Sequence, residues 1–204
     1  MRRVDILLAP RLVISAFQKG SLRLVFMMIL LQTLGFNFFA QFFAVYLYEE
    51  FGITELQTGF LFAYTGIWIA FSQGVAIRYL VGRLAIDRLI RMSLVCLSFT
   101  YLLLLVPEKL AWFYLVLPLV ALFHGFVLPN TTTLISSGSL EEEQGEKLGI
   151  YQSVQAMAQV FPPLIAGFIA TINADLPIVS AGVCTLIAWG IFQKYSCEDM
   201  NDEV

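Results

Sequence analysis

Six stretches of this chain carry no charged residue, and isolated Asp, Glu, Lys or Arg residues bound each of them. They run over 24–48, 56–77, 92–107, 110–140, 148–174 and 176–193, and hold 139 of the 204 residues. An α-helix rises about 1.5 Å per residue, so roughly 20 apolar residues cross the hydrocarbon core of a bilayer. Four stretches exceed that length, and 176–193 lies inside the usual range. The stretch 92–107 reaches it when Leu89 and Ile90 join and Arg91 extends back to the headgroups. The expectation is an all-α membrane protein with six transmembrane helices.

The placement of basic residues orients such a bundle. If the first stretch leaves the cytoplasm, 11 of the 12 Lys and Arg residues fall inside and only Lys109 falls outside. The positive-inside rule then puts both termini in the cytoplasm of a multi-pass protein of the cell or inner membrane. Residues 1–20 read as a cytoplasmic basic arm or linker, 21–195 as the six-helix transmembrane domain and 196–204 as a cytoplasmic tail. The external connections, Glu49 to Glu55, Pro107 to Lys109 and Asn173 to Asp175, leave no space for a folded domain. Hydrophobic residues at 59% and charged residues at 13% agree, set against about 45–50% and about 25% in soluble domains. Cys96, Cys184 and Cys197 form no disulfide framework, and the N-terminus has too short an apolar core for a cleavable signal peptide.

Amides mark the faces that avoid lipid, because a long polar side chain in hydrocarbon needs a partner or water. The first stretch has Gln32, Asn37 and Gln41, the second Gln73, the fourth His124 and Asn130, and the fifth Gln152, Gln155 and Gln159. The third stretch and residues 176–192 have no Asn, Gln or His. Polar, polar, apolar thus occurs twice, a 3+3 repeat in which the third helix of each triplet faces lipid. Such repeats mark secondary transporters.

Asn37 and Gln41 are four apart and share a helix face. They read as a substrate-facing pair or as an interhelical packing contact; Phe36, Phe38, Phe39, Phe42 and Phe43 around them suit an apolar or aromatic substrate. Gln152, Gln155 and Gln159 follow 3 and 4 spacing, and Pro162 and Pro163 extend the stripe, which suits the wall of a hydrated cavity. Gly149, Ser153 and Ala156 make a separate small-residue face for helix contact. His124 is the only ionisable side chain deep in a stretch. It reads either as a group that responds to protonation during transport or as a neutral imidazole bonded to a neighbouring helix.

No nucleotide cradle, metal cluster or nucleophile–base pair is visible, so neither a cofactor, a metal, an enzymatic activity nor a nucleic-acid partner is expected. Asp87 and Asp175 fall at opposite membrane faces, which argues against a paired-aspartate protease.

Four local patterns carry a family resemblance over residues 21–195. They are Tyr46-Leu-Tyr-Glu-Glu-Phe-Gly52 with Gly59; the arginine-rich connection Arg78 to Arg91; His124-Gly-Phe-Val-Leu-Pro129-Asn-Thr-Thr-Thr-Leu-Ile-Ser136; and Gln144-Gly145 with Gly149-Ile-Tyr-Gln-Ser153, Pro163 and Gly167. In order and spacing they resemble the carboxy-terminal half of a major facilitator superfamily transporter, nearest its drug–proton antiporter branch. Phe161-Pro162-Pro163 stands where many relatives have Gly-Pro. The resemblance implies a facilitator-type half bundle that moves a small molecule by alternating access, drug or metabolite efflux included. It further implies a second six-helix half or a homodimer mate, a cytoplasmic latch around Asp87 and Arg91, and a coupling carboxylate in the other half. Substrate-binding candidates are Asn37, Gln41, His124, Gln152, Gln155 and Gln159. The alternative from another class is a non-transporting integral-membrane binding or assembly subunit.

Overall fold

The computed structural model describes residues 22–80, 82–106, 109–139, 141–170, 173 and 175–202. The basic arm expected over 1–20 lies outside them. Among the described residues the chain is helical nearly throughout, in segments α1 (Leu22–Phe51), α2 (Glu55–Leu80), α3 (Ile86–Leu103), α4 (Leu110–Ser137), α5 (Glu141–Ala170) and α6 (Leu176–Asp202). Each overlaps one charge-free stretch of the sequence.

Four segments are by themselves long and apolar enough to cross a membrane: α1, α2, α4 and Leu176–Cys197 of α6. Segments α3 and α5 fall short of the six expected. Asp87, Arg88 and Arg91 occupy the first turns of α3, and α5 opens on Glu141 to Lys147 and then carries three glutamines and two prolines.

The ends of the helices follow local chemistry. Gly52 leaves α1 at φ 60°, and its N–H donates to Tyr48 O at 2.9 Å, the left-handed stop that favours glycine. Thr54 then caps α2 in a reciprocal box with Gln57, so the chain reverses within three residues. At the other end Gly82 turns at φ 95°, and α3 begins with Asp87, placed well for the helix dipole and paired with Arg91 at 2.8 Å. Asp87 Oδ2 also accepts from Ser196 Oγ of α6 at 3.4 Å, tying the two helix ends together.

Two prolines lie inside α4, and each removes one ladder hydrogen bond. Pro118 cannot donate to Tyr114 O, and Tyr64 OH of α2 donates to that carbonyl instead, at 3.0 Å. After Pro129, Asn130, Thr131, Thr132 and Thr133 each fold back onto the carbonyl four residues earlier, at 2.6, 2.7, 3.0 and 2.9 Å. The polar run Pro-Asn-Thr-Thr-Thr thereby satisfies itself within its own helix, as a lipid-embedded backbone requires. Segment α5 stays helical through Pro162 and Pro163.

The most extensive pairing joins α1 to α6; α3 packs on α4 and α6, α1 on α5, and α2 on α4. Exchange α1 with α4, α2 with α5 and α3 with α6, and each of these pairings falls on another or on itself. Small residues set the closest crossings. A Cβ on Gly35 would meet Ala181 O and Thr185 Oγ1 of α6 at 2.8 Å, and one on Gly125 would meet Ser72 Oγ at 2.5 Å.

The helices expected to face lipid do so on one side only. Leu89, Ile90, Leu94, Leu97 and Tyr101 of α3 are buried against α4 and α6, while Met92 and Phe99 are exposed. The least buried span is α2, at 17% against 56% for α1. Two large buried clusters and a small one, of Ile77, Leu89 and Phe126, fill the bundle among the described residues; the large ones lie toward opposite ends. One, around Phe39, Phe43, Tyr101 and Phe113, lies toward the Gly52 turn; the other, around Met28, Ile90, Val154 and Phe192, lies toward Asp87.

Candidate functional site

A cavity of about 400 Å³ lies where α1, α4 and α5 converge. Thr33, Phe36 and Asn37 line it from α1, His124 and Leu128 from α4, and Gln155 and Gln159 from α5. Its level follows from the helix bounds: Phe36 and Asn37 are the central pair of α1, Phe123 and His124 of α4, Gln155 and Ala156 of α5.

Four of the six expected site residues, Asn37, His124, Gln155 and Gln159, therefore meet at one place. Gln41 and Gln152 are exposed outside the lining. Asn37 and Gln41 share a face in sequence, yet one turn carries Gln41 past the end of the cavity. Of the aromatic group around Asn37, Phe36 alone lines the cavity; Phe38, Phe39 and Phe43 are buried in the core. Ala156, on the small-residue face, is exposed.

Side chains span the gap between α1 and α4. Gln32 Nε2 donates to His124 Nδ1 at 3.1 Å in a buried contact, and Phe36 stacks on the imidazole at 3.7 Å between centroids and 10° between planes. The imidazole of His124 thus contacts a neighbouring helix through Gln32 and Phe36. Sequence reasoning did not connect Gln32 to it. The one signal was the spacing of Gln32 and Phe36, four apart on one face; the partner on another helix had no mark in the sequence.

The wall is uncharged and rich in acceptors. Asn37 Nδ2 donates to Thr33 O at 2.8 Å, and Gln155 Nε2 donates to Tyr151 OH at 3.0 Å, which leaves Asn37 Oδ1 and Gln155 Oε1 unused among the described residues. Thr33 Oγ1 is buried without a partner among the described residues. Pro162 and Pro163 withdraw the ladder donors of Ala158 O and Gln159 O, one turn along α5. On α2, which packs against α4, Ser72 to Ala76 form a π-turn, and Ser72 Oγ donates to Leu122 O at 2.9 Å against Gly125. Such turns recur at functional sites, and no residue pattern announces this one.

Among the described residues no group of three or more His, Cys, Asp or Glu is placed to hold a metal ion. A second cavity, of about 450 Å³, lies at the Gly52 end and is bordered by Val45, Tyr48, Ile53 and Glu55.

Four helices long and apolar enough to cross a membrane, packed about an uncharged polar cavity, define an integral membrane protein. The Major Facilitator Superfamily matches residues 9–196, and the chain belongs to that family of secondary transporters. A search of curated proteins found no match.

Proposed function

We propose that this chain is a six-helix half of a facilitator that carries a small molecule by alternating access, rocking against a second six-helix body. The observation that carries this reading is the cavity itself: amides and an imidazole from three helices converge at the helix midpoints. Polar side chains placed there cost free energy unless they meet water or substrate. The pairing pattern that survives exchange of the two helix triplets supports a 3+3 repeat, with α3 and α5 crossing the membrane inside the bundle. Both termini face the cytoplasm in this reading, and the cargo is a small molecule, with efflux of a drug or metabolite one form that the transport can take.

In cells that express the assembled transporter, Gln155→Leu and Asn37→Leu lower uptake or efflux at least tenfold while the amount of protein in the membrane stays within twofold. Cysteines at Gln155 and Gln159 react with small polar thiol reagents, and cysteines at Val154 and Ala158, which are buried, do not. A flat labelling profile over 151–160, with transport unchanged in both leucine variants, removes the reading.

A further inference from the structure

The end of α2 and the start of α5 carry opposite charge. Arg78 lies in the last turn of α2, with Arg83 and Arg88 at the corner into α3, while Glu142, Glu143 and Glu146 open α5. Ile90 of α3 and Ile150 of α5 share one buried cluster, which sets the two charged corners at the same end of the bundle. Within the chain these charges do not pair with each other. Arg83 stacks on Tyr79 at 4.0 Å, and Lys147 pairs with Glu143 at 3.0 Å. Arg78, Arg88, Glu142 and Glu146 are exposed, and none has an ion-pair partner among the described residues.

The same two helices divide their exposed surface alike. On α2, Gly59, Ala63, Gly66, Ala70 and Gly74 follow one another at helical spacing with Gln73 beside them, and Phe60, Ile67 and Phe71 lie round the helix from that line. On α5, Gly145, Gly149, Gln152 and Ala156 form the exposed line, and Met157, Phe161 and Leu164 lie beside it. Large apolar side chains suit lipid; amides do not, and small residues let another helix approach closely. Exchange of the two helix triplets carries α2 onto α5. They stand on separate flanks of the bundle, α2 on α4 and α5 on α1, without extensive contact between them.

We infer that the second body is another copy of this chain, related by a twofold axis along the membrane normal, so that α2 of each copy meets α5 of the other. This rests on the transport reading above and adds the partner to it. Such an axis turns each flank of one bundle toward the opposite flank of its mate, and one contact is made twice. Both copies insert the same way up, so the arginine end of each α2 arrives beside the glutamate end of the mate's α5. A pairing of α2 with α2, or of α5 with α5, opposes like charges instead. Exposed charges of this kind select the partner and the register more than they add affinity. The close approach belongs to the small-residue lines, and the exposed amides are covered with them. A pair of identical chains brings no charged residue within its charge-free stretches, so the coupling carboxylate implied for a different second half has no counterpart here.

The test uses the full chain with Cys96, Cys184 and Cys197 replaced by serine, expressed in the same cells in two forms with different tags. One form carries Ala70→Cys on α2 and the other Gln152→Cys on α5; at about 1.5 Å per residue both lie about 12 Å from the charged ends. Ile67→Cys with Met157→Cys, on the apolar sides of the same helices, is the control pair. Oxidation with copper phenanthroline in native membranes should give a product of twice the chain mass that carries both tags, at least fivefold more from the first pair than from the control. Arg78→Glu with Arg88→Glu in the Ala70→Cys form should lower that product at least threefold. Adding Glu142→Arg with Glu146→Arg to the Gln152→Cys form should then restore at least half of it, a recovery that a misfolded or inverted chain would not show. Equal yields from the two cysteine pairs overturn the inference, as does a charge reversal that changes nothing or is not rescued. A second body of different sequence gives no product with both tags and overturns it too, while labelling of the cysteines at Gln155 and Gln159 decides the transport reading separately.

Discussion

At Gly125 the bundle has no room for a methyl group. A Cβ there would stand 2.5 Å from Ser72 Oγ and 2.7 Å from Ser72 Cβ, distances at which backbone or side chain has to shift. Overpacking of this kind costs about 1–3 kcal/mol, so Gly125→Ala should lower the thermal midpoint of the purified protein, and Ser72→Gly in the same chain should recover most of the loss. At Gly59 and Gly66 of α2 an added methyl group would meet nothing within 4 Å, and alanine at either should leave the midpoint unchanged or raise it, by up to about 1 kcal/mol of helix propensity. A midpoint that falls equally for all three substitutions would contradict the close crossing at Ser72. The same scale explains how the His124 region was only half legible. The sequence marks an imidazole in an apolar stretch; what it does there depends on Gln32, 92 residues away along the chain.

At the scale of elements, the charge-free stretches locate the helices well, because a backbone in hydrocarbon must satisfy its own polar groups and a helix is the way a single segment does so. Spacing alone misses the interruptions. Nothing in Ser72-Gln-Gly-Val-Ala76 distinguishes the π-turn from ordinary helix; it is held by Ser72 Oγ on Leu122 O, a contact with another segment. Spacing overreached likewise for Gln41 and Gln152, since a shared helix face extends over many turns and a cavity over two. Pro118 offers a measurement at this scale. Its missing N–H frees Tyr114 O, and Tyr64 OH takes it up. Tyr64→Phe should therefore cost on the order of 0.6 kcal/mol, the usual size of an interhelical bond in a membrane, and at most about 1.7. In a Pro118→Ala chain, where the ladder donor returns, the same substitution should cost nothing measurable. Additive effects of the two substitutions on detergent unfolding would show that the tyrosine does not serve that carbonyl.

The whole molecule raises two matters, its orientation and its completeness. The proposed six-span topology puts 11 of 12 basic residues on the cytoplasmic side, so single cysteines at Lys109 and Asn173 should react with impermeant thiol reagents added outside intact cells, and one at Arg83 should react only after permeabilisation. The reverse pattern would invert the bundle. Completeness is a question of polar surface. Gln41, Gln73, Gln152 and Gln159 are exposed on the bundle, and against lipid each is an unsatisfied amide. Apolar exposure on α2, at Leu56, Phe60 and Ile67, needs no cover in a membrane, so the exposed amides of α1 and α5, which pack on each other, are the surface taken here as the unfinished face. That face is covered, in the proposed function, by a second six-helix body, either a second copy or a complementary partner. Cross-linking in native membranes through cysteines at Gln41 and Gln152 should therefore trap a species of at least twice the chain mass, while a cysteine at Phe99, on the exposed side of α3, should not. Purified chain held as a strict monomer should show no saturable uptake into vesicles, because a single bundle has nothing to rock against. Saturable uptake by the monomer, together with cross-linking no greater at Gln41 and Gln152 than at Phe99, would mean that the amides face water within one bundle and that the chain works alone.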